Sequence, residues 1–204
     1  MNIVKLNEKH LDLIAKLHKE NFSEEHTTFY LREELIKEYY RQFFREDEIF
    51  FLGLEDNGKL LGIILGGNKN KLAYCKEKFI KDHKKSLTKN ILVSTVAKPK
   101  FIYKLFYERI ILKFLYDEKI KKNIDLSNSY NILSIVIDKS KRRKGLGKIL
   151  IYEFEKLAKK NKKEFLTLSV RKSNESALNF YKKIGFIPYK ETNIGIYFYK
   201  KIKI

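Results

Sequence analysis

Apolar residues recur along this chain at two spacings, and the spacing separates helices from strands. "NIVKL" reads as a short strand, and from about Glu8 to Lys19 the residues Leu11, Ile14, Ala15 and His18 fall near one helical face. In "FSEEHTTFYLREELIKEYYRQFF", Ser23 is the expected cap, with Phe29, Leu35, Ile36 and Tyr39 following at roughly helical spacing. "EIFFLGLEDNGKLLGIILGG" predicts a β-hairpin, two apolar runs joined through Asp56-Asn57-Gly58-Lys59. Asn-Gly suits a two-residue turn because both central positions need positive φ.

The rhythm breaks between residue 68 and about residue 128. A Lys-rich stretch leads to a second helical stripe of Tyr103, Phe106, Tyr107, Ile110 and Phe114, with Pro99 just ahead of it. Such a stripe has three uses: packing on the rest of the chain, a dimer face or substrate lid, or a peripheral membrane surface. The last third is clearer. "NILSIVI" and "EFLTLSV" are nearly continuous apolar runs, the pattern of strands covered on both faces. Between them "KILIYEFEKLAKKNKK" is helical, with Ile149, Leu150, Phe154 and Leu157 inward. "RKSNESALNFYKKIGF" opens on capping residues Ser173 and Asn174 and stops at Gly185, and "FIPYKE" and "IGIYFYKKI" close the chain as strands. A strand-helix-strand-helix-strand order implies at least one parallel pair with a right-handed crossover, hence an α/β class.

With 204 residues and 44% hydrophobic content the chain can bury a core as one domain, here expected to span 1–204 with an insertion at about 68–128. The formal charge of +19 would suit an anionic partner, but it comes mostly from Lys scattered along the whole chain. No helix-turn-helix, zinc-finger or RNA-binding signature accompanies it, so no nucleic-acid partner is expected. Cys75 is alone, and His10, His18, His26 and His83 form no close ligand pair, so no metal is expected. The polar N-terminus does not read as a signal peptide, and no apolar run reaches about 18 residues, so a cytoplasmic location is expected.

One stretch carries chemistry. "KRRKGLGKIL" sets Gly145 and Gly147 around Leu146, directly after Arg142, Arg143 and Lys144 and at the start of a helix. Glycine lets the backbone turn sharply and approach a ligand, and the unpaired N–H groups of a helix start, with its dipole, attract anions. The spacing is not that of a P-loop, and no third glycine completes a dinucleotide fingerprint. A phosphate or diphosphate held at this turn is the expected ligand.

The turn is R-x-x-G-x-G, and downstream Asn174, Ala177, Tyr181, Gly185 and Phe186 spell N-x-x-A-x-x-x-Y-x-x-x-G-F. Together, over residues 131 to 188, these motifs resemble the GNAT superfamily of N-acetyltransferases. The resemblance implies a mixed, mostly antiparallel sheet flanked by helices, with acetyl-CoA as cosubstrate and an amine as acceptor. It implies that the strand Ile135-Val136-Ile137 pairs with the pantetheine arm and supplies an oxyanion donor. It also implies that Arg142, Arg143, Lys144, Gly145, Leu146, Gly147 and Lys148 surround the diphosphate. Asn174 would contact the arm, and Tyr181 would lie near the sulfur and protonate the departing thiolate. Members of the family place a Glu base on a central strand; Asn131, Ser134 and Ser169 stand there instead, leaving a water chain, Glu24, Glu25, His26 or His83. A non-catalytic acyl-CoA sensor or scaffold is the alternative reading.

Overall fold

Strand β1 (Asn2–Lys5), helix α1 (Leu11–Asn21), helix α2 (Glu33–Phe44), strands β2 (Ile49–Asp56) and β3 (Lys59–Gly67) and helix α3 (Lys69–Asp82) open the chain. They are seen in a computed structural model that describes residues 1–22, 27–89, 119–120 and 124–202. Strands β4 (Lys119–Ile120) and β5 (Ser129–Ile137), helix α4 (Leu146–Lys160), strand β6 (Phe165–Arg171), helix α5 (Glu175–Lys183) and strands β7 (Ile187–Glu191) and β8 (Gly195–Lys201) follow. The chain divides into two units, one within Met1–Lys98 and Ile132–Phe154, the other within Pro99–Asn131 and Glu155–Ile204.

In the first unit the strand order is β1-β2-β3-β5, with β1 antiparallel to β2 and β2 antiparallel to β3. The hairpin forms as the sequence predicts. Asp56 faces Lys59, and Asn57 and Gly58 take φ of 47° and 75°, the two positive values a type I′ turn requires. Ile14 and Leu17 of α1, Ile36, Tyr40 and Phe43 of α2, and Ile63 and Leu65 of β3 make one apolar cluster with Val136 of β5. Burying each aliphatic side chain contributes on the order of 1.5–3 kcal/mol. Leu72 and Cys75 of α3 join the same cluster. Asn68 caps α3 by accepting from the N–H groups of Asn70 and Lys71 at 3.0 and 3.3 Å.

Two expectations shift here. Helix α2 starts only at Glu33, with Arg32 at the cap position and no side-chain cap, and two glutamates in the first turn suit its dipole instead. Ser23 lies outside the described residues, as do Pro99 and the whole stripe Tyr103 to Phe114. The buried face of α4 is turned from the expected one. Leu150, Ile151, Phe154 and Ala158 are buried, while Ile149 and Leu157 are only partly covered.

In the second unit β6, β8, β7 and β4 lie in that order, each antiparallel to the next. The first residues of β5 belong here, where Asn131 donates to Thr167 through Nδ2. Leu166, Leu168, Phe198, Tyr181 and Phe186 are buried, and Lys200 reaches Glu155 at 2.9 Å.

Candidate functional site

In the first unit the turn after β5 is built before it is charged. Asp138 accepts from the N–H and hydroxyl of Ser140 at 2.9 and 2.7 Å, closing a short 3-10 turn over Lys139–Lys141. Those two donors, with Lys59 at 3.2 Å, hold the Asp138 carboxyl below the usual aspartate range. Arg143 and Gly145 then take φ of 63° and 78°, and buried Leu146 anchors the start of α4. The N–H groups of Lys148 and Ile149 both close on the Gly145 carbonyl, at 2.9 and 3.2 Å. Among the described residues, the five N–H groups from Arg143 to Gly147 meet no acceptor. A Cβ at Gly145 would find nothing within 4 Å, so the space beside these donors is open.

Consecutive N–H groups around left-handed residues at a helix start form a concave anion site. The fit to a diphosphate is good, because the donors come in a run and the room in front of them is clear. Arg143, Lys144 and Lys148 are exposed, with no acidic partner among the described residues. Arg142 differs from them. Its Nε donates to the Ile137 carbonyl at 3.2 Å and its Nη2 to the Asn21 carbonyl at 2.9 Å, so its guanidinium is engaged with the scaffold. On β5, Val136 is buried in the core and Ile135 and Ile137 are half-buried.

In the second unit Asn174 occupies the N-cap of α5, where its side chain accepts from the Ala177 N–H at 3.1 Å. The far end of this helix fixes Tyr181. Gly185 at φ 92° lets the chain reverse, so that Phe186 N–H bonds back to the Tyr181 carbonyl and Gly185 N–H to that of Lys182. This is a Schellman motif, and its usual apolar contact is the Phe186 ring set edge-on to Tyr181, centroids 5.4 Å apart. Tyr181 is 6% exposed, and burial pushes its phenol above the ordinary value. Its hydroxyl has no hydrogen-bond partner among the described residues, and no sealed side-chain N or O atom there lacks one, so the hydroxyl reaches accessible space. Seven residues of helix place it about 10 Å along the axis from Asn174.

The sequence-predicted residues therefore fall into two groups: Ile135–Ile137 and Arg142–Lys148 in the first unit, Asn174 and Tyr181 in the second. Of the groups considered as a base, Glu24, Glu25 and His26 lie outside the described residues. His83 lies 4.0 Å from Glu38, with its ring near Phe79, and Asn131 is engaged with Thr167. Sequence reasoning missed Asn21 and Asp138, which brace the turn, and the buried pair His18 Nδ1–Tyr40 Oη at 2.8 Å. A polar residue closing the apolar face of α1 was the one signal that Asn21 offered. Among the described residues no cluster of His, Cys, Asp or Glu could hold a metal, and no helix is long and apolar enough to cross a membrane.

Residues 111–186 match the acetyltransferase (GNAT) family. No curated protein matches the chain. Among solved structures, the PaiA N-acetyltransferase of Thermoplasma acidophilum, determined in complex with coenzyme A, is 19% identical over 98% of each chain, with a TM-score of 0.64. A probable acetyltransferase of Staphylococcus epidermidis is 12% identical over 99% of each chain, with a TM-score of 0.60. A GNAT-family acetyltransferase of Streptococcus pneumoniae is 16% identical over 99% of each chain, with a TM-score of 0.55. At these identities the shared property is the fold: mixed α/β, mostly antiparallel, with flanking helices.

Proposed function

We propose, on the premise that this chain is a GNAT acetyltransferase, that it transfers an acetyl group from acetyl-CoA to an amine of a small molecule or protein. The observation that carries this reading is the run of five N–H groups from Arg143 to Gly147 that meet no acceptor among the described residues, beside the exposed side chains of Arg143, Lys144 and Lys148. The family uses acetyl-CoA, and the Thermoplasma relative was solved with coenzyme A. The bound thioester supplies an activated acetyl group. In our reading the amides of 143–147 hold its phosphates, and the main chain of Ile135–Ile137 lines the pantetheine arm and donates to the carbonyl oxygen. Asn174 uses its Oδ1 as a cap, which leaves its Nδ2 for the arm.

Tyr181 acts at the sulfur, with a role set by burial. A phenol held above 10 is a weaker acid than a thiol near 8.5, so complete proton transfer to the leaving thiolate runs uphill. Tyr181 therefore stabilises the developing charge as a hydrogen-bond donor that stays protonated at physiological pH, and the proton itself comes from solvent. The amine nitrogen bonds to the acetyl carbon as the C–S bond breaks, and the amine loses its proton to water.

The test is thiol release from acetyl-CoA, followed with a thiol reagent across a panel of polyamines, amino sugars and peptides, beside a thermal-shift titration. Amine-dependent release with a raised Tm supports the reading. A raised Tm without release from any amine favours the acyl-CoA sensor, and no shift at all rejects both.

A further inference from the structure

We infer that Asn21 and Arg142 are positioning residues that hold the phosphate-binding turn in its binding shape from the end of α1. This rests on the reading of that turn as a diphosphate site. Asn21 is 7% exposed, yet all its polar groups on the side chain are used. Its Oδ1 accepts from the Lys139 N–H at 2.6 Å, and its Nδ2 donates to the Leu17 carbonyl at 2.8 Å. Its main-chain oxygen accepts from Arg142 Nη2 at 2.9 Å. One residue thus grips the turn at two points, 118 and 121 positions further along the chain.

Arg142 completes the brace. Its Nε takes the Ile137 carbonyl while its Nη2 takes that of Asn21, so the planar fork bridges the last residue of β5 and the last residue of α1. Asp138 secures the other flank, donating its N–H to the Leu61 carbonyl and pairing with Lys59. Residues 138, 139 and 142 are therefore fixed immediately before five N–H groups that meet no acceptor among the described residues. Such a run gains affinity when it is already ordered, because the ordering entropy is then not charged to binding. A lysine ammonium on a flexible stem cannot reproduce a two-carbonyl bridge, although it keeps the charge.

That difference supplies the test. Coenzyme A affinity is measured by calorimetry over a range of salt for the wild type, Arg142→Lys, Arg142→Met, Asn21→Ala and the Asn21→Ala/Arg142→Lys double variant. Amide hydrogen exchange of peptide 138–148 is followed in the same proteins without ligand. The expected result is a roughly tenfold weaker Kd in every single variant, about one net hydrogen bond to a charged group. The Lys variant should keep the wild-type salt dependence, and the double variant should cost little more than either single one. The N–H groups of Lys139 and Arg142 should exchange faster in each variant. Wild-type affinity and exchange in Arg142→Lys, with loss confined to Arg142→Met, would overturn the proposal and make Arg142 a charge alone. If wild-type protein binds no coenzyme A, the cofactor reading fails and the binding role of the brace fails with it; exchange read without ligand separates the two, because unchanged exchange in the variants overturns the brace itself.

Discussion

Replacing Gly145 with alanine separates the cost of a backbone shape from the loss of a binding site. The residue sits at φ 78°, where an L side chain costs about 1–2 kcal/mol, and its added Cβ would meet nothing within 4 Å. No clash is added to the strain. In a chain of this length 1 kcal/mol moves Tm by roughly 2–4 °C, so the apo variant should melt about 2–8 °C lower and remain folded. Coenzyme A at about 100 times its Kd stabilises the wild type by about 2.7 kcal/mol, a rise of roughly 5–11 °C. The new methyl points into the space before the five donors, or the turn relaxes and scatters them. Either outcome removes a pair of charge-assisted bonds and weakens affinity by about a hundredfold or more. At the same ligand concentration the remaining stabilisation is about 0.4 kcal/mol, a shift near 1 °C. Gly53→Ala is the control, since its Cβ would press on Leu6 and Leu60 methyls at 2.8 Å, weakening the core away from the turn. Differential scanning fluorimetry with and without coenzyme A reads both. A Gly145→Ala protein that keeps the wild-type ligand shift refutes the assignment.

Other outcomes follow from the same structure. Tyr181→Phe retains the ring contact with Phe186 and loses no hydrogen bond to the described residues, so Tm should hold while single-turnover acetyl transfer falls roughly 10- to 100-fold; equal rates would leave Tyr181 a packing residue. Asp138→Asn should cost about 1 kcal/mol at pH 7. Because the folded carboxyl lies below 3.8, that contribution is complete above pH 3.8 and lost only as pH falls through the lower folded value. Melting curves from pH 8 to 3 should thus show a constant gap to wild type down to about pH 4, and a gap closing near neutrality would contradict the pairing. Cys75 is 1% exposed and burial pushes its thiol up to about 11, so iodoacetamide should modify it at pH 7.5 only in denaturant; rapid labelling of native protein would show that α3 opens.

The legible features were those carried by local rules. Asn57-Gly58 announced its hairpin because only a few residues tolerate that turn, and Gly185 announced the end of α5 for a similar reason. The start of α2 at Glu33 carries no local signal, because Arg32 before it offers no capping side chain. Helix α4 was found but turned, since Ile149, Leu150 and Ile151 are all apolar and periodicity alone cannot choose among them. The stripe Leu72, Cys75 and Phe79 lies in a Lys-rich stretch that reads with the segment after residue 68, although all three are buried. At the site, a run of basic residues shows charge but not direction, and nothing in the letters says that Arg142 turns back onto two carbonyls. Asn21 was beyond reach because its partners in the turn lie more than a hundred positions away, a separation that only the fold closes.

The reversal at Gly185 has a stereochemical consequence. A Cβ there would meet only the Lys200 Cε, at 3.7 Å, so the position has room for a side chain and lacks only the right chirality for one. A mirror-image residue prefers the φ that the motif demands. Protein made by chemical ligation with D-alanine at 185 should keep the Phe186-to-Tyr181 bond and the ring pair, whereas L-alanine should strain both. Since Tyr181 takes its orientation from that reversal, the two diastereomers would differ in turnover while having the same composition, and the setting of the phenol would be traced to the handedness of one residue four places away.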